Sequence, residues 1–165
     1  MQTLHEHIEK EFLAVIRAYD KVIYKVCYLY TTRHATLNDL YQEVVINLWK
    51  AFPKFRGECK ISTWIYRIAL NTCISFMRKE KNVPELVTLT WDTDRVAEDD
   101  ELQIMLRELY RLINQLGQLD KSIILLYLEE KSYEEIAEIT GLSVTNVATK
   151  LNRIKQKLRH MKKEE

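Results

Sequence analysis

A chain of 165 residues, 47% hydrophobic and 30% charged, holds enough apolar material for one ordinary core or two small ones. No apolar run approaches the length of a membrane span, and the opening MQTLHEHIEKEF lacks the basic-then-apolar layout of a secretory signal, so a cytoplasmic protein without membrane insertion is expected. Cys27, Cys59 and Cys73 are odd in number, widely separated and without a C-x-x-C pair, which argues against a disulfide framework and a zinc site; free, mostly buried thiols are expected.

Only three Gly and two Pro interrupt long stretches of 3.6-residue periodicity, so the sequence predicts an all-α fold. The net charge of +1 is unevenly spread. Residues 1–80 hold 12 Lys/Arg against 8 Asp/Glu, residues 81–101 hold 2 against 7, and residues 102–165 hold 11 against 9. The acidic middle, KNVPELVTLTWDTDRVAEDDE, contains Pro84 and no sustained helical period, and it reads as a linker over 81–101. Two small helical domains, 1–80 and 102–165, are expected on either side.

Little in the chain suggests an enzyme. His5 and His7 lie two apart on a predicted helix, where side chains do not face each other, and neither a Gly-rich phosphate loop nor H-E-x-x-H occurs. No catalytic residue, metal, cofactor or small-molecule substrate is expected. In DLYQEVVINLWK, residues 39–50, Leu40, Val44 and Leu48 recur every four residues as an inward stripe, which turns the polar residues between them outward.

KISTWIYRIALNTCISFMRK, residues 60–79, is greasier than an ordinary surface helix. Ile61, Ile65, Ile68, Ala69, Thr72 and Phe76 fall on one face as the expected core side, and Tyr66, Leu70, Cys73, Ile74 and Met77 continue the apolar surface. One strip remains, carrying Trp64, Arg67, Asn71 and Arg78. At about 1.5 Å per residue it is roughly 21 Å long, the length of about six stacked base pairs. Arginine stems also lie along apolar surfaces in proteins that bind no nucleic acid, so the strip by itself does not decide its use.

In SYEEIAEITGLSVTNVATKLNRIKQKLR, residues 132–159, Ser132 and Glu135 form a capping-box pattern that starts a short helix. Gly141 suits a left-handed turn and Ser143 a second N-cap. Val144, Val147, Leu151, Ile154 and Leu158 form the expected buried stripe, leaving Thr145, Asn146, Thr149, Lys150, Asn152 and Arg153 outside. From Leu142 to Lys163 there is no acid, so this helix-turn-helix pattern with a basic second helix points to phosphates and DNA.

These stretches together resemble the bacterial RNA polymerase sigma-70 family, specifically its extracytoplasmic-function (ECF) group. Residues 13–80 look like the family's second conserved region and 109–160 like its fourth. The 39–50 segment is similar to the family's D-x-x-Q-E-x-F-x-x-x-W helix, and the resemblance implies that Asp39, Gln42, Glu43, Asn47 and Trp49 face the clamp coiled coil of core RNA polymerase, whose flap is a second expected contact. FRGECKISTWIYRIALNTCISFMRK, residues 55–79, is similar to F-R-G-x-S-x-F-x-T-W-L-x-R-I-A-x-N. By that likeness Phe55, Arg56, Gly57, Glu58 and Lys60 form a base-capturing loop, and Trp64, Arg67, Asn71 and Arg78 meet the minus-ten element as it opens. Cys59 stands where the family has Ser, and Ile61 where it has Phe.

The second helix of the fourth region implies minus-thirty-five reading in the major groove. Ser143, Thr145, Asn146, Thr149 and Lys150 are the candidates at the base edges, with Arg153 and Lys155 on phosphate. Promoter DNA and core polymerase are thus the expected partners, and an anti-sigma factor is a further candidate. The rival reading, a stand-alone helix-turn-helix regulator, needs a dimer surface or ligand pocket in residues 1–100 and explains neither the 39–50 helix nor the 60–79 strip.

Overall fold

The computed structural model describes residues 2–79 and 100–164, so the expected 81–101 linker lies outside the described residues except for Asp100 and Glu101, which open a helix. The chain divides into two compact units, Met1–Val83 and Pro84–Glu165. No strand occurs among the described residues.

The first unit contains α1 (Gln2–Ala18), α2 (Asp20–Leu29), α3 (Leu37–Ala51) and α4 (Ile61–Lys79). Tyr19, at φ −112° and ψ 15°, separates α1 from α2. The connection into α3 is held by Thr32, whose N–H donates to the Ala35 carbonyl at 2.9 Å while its hydroxyl oxygen accepts from the Ala35 N–H at 3.0 Å. Thr36 then caps α3 by accepting from the Asp39 N–H at 3.2 Å, satisfying one of the amides a helix start leaves unpaired. A 3₁₀ turn over Phe52–Lys54, with Pro53 inside it, ends the helix.

The core of this unit is made where α2, α3 and α4 pack pairwise. Ile23, Val26 and Cys27 meet Leu40, Val44 and Leu48, with Ile65, Ala69 and Cys73 closing the third side, and all nine are fully buried. Each large aliphatic side chain contributes about 1.5–3 kcal/mol by leaving water. The inward stripe expected on 39–50 is therefore observed. The expected core face of α4 needs correction. Ile65, Ala69 and Thr72 are buried, but Ile61, Ile68 and Phe76 are only half-buried, while Thr63, Tyr66, Leu70 and Cys73 are buried. Two helices rather than one press on α4, so its buried face is wider and turned toward Tyr66 and Cys73.

The second unit contains α5 (Asp100–Ile113), α6 (Gln118–Leu128), α7 (Tyr133–Thr140) and α8 (Val144–Lys163). α6 is its central element, with an unbroken buried run from Lys121 to Leu126 contacted by both α7 and α8. The capping box at α7 is complete. The Ser132 N–H donates to Glu135 Oε2 at 2.9 Å and the Glu135 N–H donates to Ser132 Oγ at 3.1 Å. Gly141 ends α7 at φ 78°, a left-handed conformation that a Cβ disfavours, and Ser143 caps α8 by accepting from the Asn146 N–H at 3.1 Å. Val147, Leu151 and Ile154 form the buried stripe of α8. Val144, expected in that stripe, is 41% exposed because it lies at the stripe's edge on the first turn.

Candidate nucleic-acid interface

Counting about 100° per residue, Trp64, Arg67, Asn71 and Arg78 cluster nearly opposite the centre of the buried face of α4. Asn71 and Arg78 are exposed, while Trp64 and Arg67 are half-buried. The rotation of α4 thus leaves the strip intact as the outward face. Trp64 is anchored from below and beside it: its ring lies 5.0 Å from Phe55 at 39° and 6.2 Å from Phe52. The contacts continue from Phe52 to Phe12 at 5.4 Å, from Phe12 to Trp49 at 5.0 Å and from Trp49 to His5 at 6.0 Å. An aromatic chain therefore joins α1, the end of α3 and the start of α4, fixing rings that would otherwise swing in solvent.

The loop before α4 carries exposed Arg56, Gly57, Glu58 and Lys60, with Phe55 and Cys59 half-buried. Gly57 has φ 71° with nothing near where a Cβ would sit, so its glycine is demanded by backbone conformation rather than by crowding. Phe55 and Trp64 together give the loop one rigid aromatic wall. Arg56 and Lys60 supply positive charge from the same loop, with Glu58 between them.

On α3, Asp39 and Gln42 are exposed, and Glu43, Asn47 and Trp49 are half-buried. Asn47 Nδ2 donates to Thr72 Oγ1 at 3.1 Å, and Trp49 is engaged edge-on by Phe12, so both residues also hold the unit together. Beside them α3 and α4 enclose a cleft of about 250 Å³ lined by Glu43 and Asn47 on one side and Asn71, Thr72, Ser75, Phe76 and Lys79 on the other. It brings Glu43 and Asn47 of the expected polymerase face and Asn71 of the expected DNA strip within one groove.

Burial and neighbouring groups alter the proton affinities of Cys73, Tyr41 and Lys121. Hydrogen bonding to Cys27, together with burial, pushes the Cys73 thiol up, so Cys73 is a poor source of thiolate. Burial, reinforced by a 2.5 Å hydrogen bond to Asp20 Oδ1, pushes the Tyr41 hydroxyl up. In the second unit burial pushes the Lys121 ammonium down.

On α8, Ser143, Thr145, Asn146, Thr149 and Arg153 are exposed, whereas Lys150 and Lys155 are half-buried. Asn146, Thr149 and Arg153 are spaced to form one row along the outward face, whereas Lys150 and Lys155 border the buried stripe of Val147, Leu151 and Ile154 on either side. Thr149 is oriented by its hydroxyl, which donates to the Thr145 carbonyl at 3.0 Å. Lys150 Nζ is 3.8 Å from Asp120 Oδ1, and Lys155 Nζ lies 4.0 Å over the Tyr127 ring. Sequence reasoning missed Asp120, Tyr127, Phe12 and Phe52. Each acts on a residue from another helix, and no local spacing signals such a pair.

The family model for Sigma-70 region 2 matches residues 15–83, and that for Sigma-70 region 4 matches residues 106–158. The chain belongs to the sigma-70 family. This sigma factor is 32% identical over 162 residues to the ECF RNA polymerase sigma factor SigW of Bacillus subtilis, covering 90% of this chain and 87% of that one. It is 28% identical over 173 residues to the ECF RNA polymerase sigma-E factor of Haemophilus influenzae, covering 94% and 91%. Among solved structures it is similar to the sigma factor RpoE of Bartonella quintana in complex with the anti-sigma factor NepR, with TM-score 0.71, 20% identity and coverage of 96% and 98%. CnrH in complex with the cytosolic domain of CnrY gives TM-score 0.69 at 17% identity, covering 95% and 90%. The protein is an ECF sigma factor, which binds core RNA polymerase and directs promoter recognition in transcription initiation; sigma factors are initiation factors rather than enzymes. These relationships support this reading over a stand-alone helix-turn-helix regulator. No helix among the described residues is long and apolar enough to cross a membrane.

Proposed function

We propose that this sigma factor divides its work among three surfaces, with domains at about 1–80 and 102–165 separated by the acidic 81–101 segment. Asp39, Gln42, Glu43, Asn47 and Trp49 dock on the clamp coiled coil of the largest polymerase subunit. Phe55, Arg56, Gly57, Glu58 and Lys60, with Trp64, Arg67, Asn71 and Arg78, take the opened minus-ten element. Ser143, Thr145, Asn146, Thr149 and Lys150 read the minus-thirty-five duplex while Arg153 and Lys155 hold its phosphates, and the second domain also meets the flap. The protein acts in the cytoplasm without a cofactor. An anti-sigma factor is a partner as well, a reading supported by the fold shared with the RpoE neighbour solved bound to NepR.

The observation that carries this reading is the position of the Trp64–Arg78 strip opposite the buried face of α4, with Trp64 braced by Phe55. Separated bases need aromatic surfaces to replace lost stacking, and their backbone needs cations. Both are present in one place. The two DNA surfaces are distinguished by template. Lys150→Ala should weaken closed-promoter binding of holoenzyme by about 1–3 kcal/mol, mostly at one base pair. Asn71→Ala and Trp64→Ala should impair strand opening far more than closed binding, once circular dichroism shows intact helix. On a template already mismatched across the minus-ten bubble, the Trp64→Ala defect should shrink and the Lys150→Ala defect persist. Rescue of Lys150→Ala alone would invert the assignment.

A further inference from the structure

Lys150 and Lys155 are five residues apart on α8, which sets them about 140° apart around the helix axis. Neither projects from the middle of the outward face. Each is met by a side chain from the same helix, α6: Asp120 in its first turn and Tyr127 near its end. The shorter arc between them holds the buried Val147, Leu151 and Ile154, and the longer, outward arc holds exposed Thr145, Asn146, Thr149 and Arg153. The central helix of the unit thus meets two of the cations of α8, one on each side of the buried stripe, and leaves the polar row uncovered.

We propose that Asp120 and Tyr127 are positioning residues for promoter recognition, holding Lys150 and Lys155 on the two flanks of α8 before DNA arrives. This rests on the reading of α8 as the helix that enters the duplex. The physical reason is twofold. A lysine side chain has several rotatable bonds and loses much rotamer freedom when it is ordered, so a cation already held in place loses less on binding. The Tyr127 ring attracts the Lys155 ammonium through its negative face without altering charge. Asp120 does something more. Its carboxylate offsets the Lys150 charge toward arbitrary phosphates, and at 33% and 31% side-chain exposure the pair is weak enough for a well-placed groove contact to replace it. Random DNA gains little from Lys150, whereas a site whose base edge meets the ammonium where Asp120 holds it gains more. Asp120 therefore sharpens discrimination at the cost of overall affinity.

The test uses the full chain assembled with core polymerase, a short duplex enriched from a randomised library by that holoenzyme, its single-base-pair variants, and an unrelated duplex. Asp120→Asn should raise affinity for the unrelated duplex by about twofold to fivefold, the scale of an exposed ion pair, and reduce discrimination at one base pair by a similar factor. Both effects should vanish when the same change is made in a Lys150→Met background, and Asp120→Glu should restore discrimination. Tyr127→Leu should weaken enriched-duplex binding by about twofold to fivefold, and Tyr127→Phe should not. Unfolding curves of each variant exclude a fold defect. If Lys150→Met weakens binding but Asp120→Asn changes neither affinity nor discrimination, the positioning role is wrong and the reading of α8 stands. If the Asp120→Asn effect persists undiminished without Lys150, Asp120 acts only as a surface charge and the proposal fails. If Lys150→Met itself binds and discriminates normally, the assignment of α8 falls, and the proposal falls with it.

Discussion

Tyr41 shows how a single side chain can tie two helices of the first unit together. Its hydroxyl donates to Asp20 Oδ1 at 2.5 Å, linking α3 to the start of α2, and its proton is held more tightly than an ordinary tyrosine's, first through burial and then through Asp20. In the unfolded chain tyrosine ionises near its usual value of 10.0. Below that pH both states keep the proton and the contribution is complete. As pH climbs past it, the unfolded state releases its proton first and the folded state loses ground. Urea unfolding should therefore show stability falling from about pH 10 upward, and Tyr41→Phe should flatten that fall while costing about 1 kcal/mol at neutral pH. A Tyr41→Phe protein with the same alkaline slope would remove Tyr41 as its source. Asn47 serves in a similar way, since its bond to Thr72 joins α3 to α4 beside the cleft.

Elements are set here mainly by their ends. α7 is only eight residues long, too short to stand alone in water, and it persists through its complete capping box and the packing of Ile136 and Ile139. Ser132→Ala should cost about 1 kcal/mol, measured by chemical denaturation. At the other end Gly141→Ala should cost about 1–2 kcal/mol through the left-handed backbone alone, because no atom lies within 4 Å of the added Cβ. The Gly141 change also bears on DNA, for that turn sets the angle at which α8 leaves α7, and promoter binding should fall even under conditions where the variant is fully folded. On α3 the proposed docking edge carries exposed Gln42 and half-buried Glu43: Gln42→Ala with Glu43→Ala should weaken capture of core polymerase on affinity resin while leaving the unfolding midpoint within experimental scatter. Unchanged capture would detach that helix from polymerase docking.

Across the whole molecule the charge is partitioned rather than averaged. Residues 1–80 carry +4 and 102–165 carry +2, whereas 81–101 carry −5, so attraction to DNA is confined to the two helical portions and the stretch between them repels phosphate. Changing Asp92, Asp94, Glu98 and Asp99 to their amides should raise binding of the free protein to random duplex DNA and steepen its dependence on salt. Measured by fluorescence anisotropy across a salt series, an unaltered slope would show that the acidic stretch does not shape the field DNA meets.

The all-helical class, the stripe on α3, the cap and glycine turn of α7 and α8, and the basic character of α8 were legible in the sequence. Each depends on residues within one or two turns of each other, where backbone geometry fixes which side chains share a face. The face of α4 was legible only in part. Its apolar residues exceed what one contact needs, and the choice of Tyr66, Leu70 and Cys73 over Ile61, Ile68 and Phe76 was made by α2 and α3 packing against it together. Tertiary structure alone decided the aromatic chain from His5 to Phe55 and the hold of Asp120 and Tyr127 on the two lysines, because those partners lie on different helices and meet only through packing. Periodicity orients one helix about its own axis. Which residue of another helix then stands opposite is settled by how the helices fill the core between them.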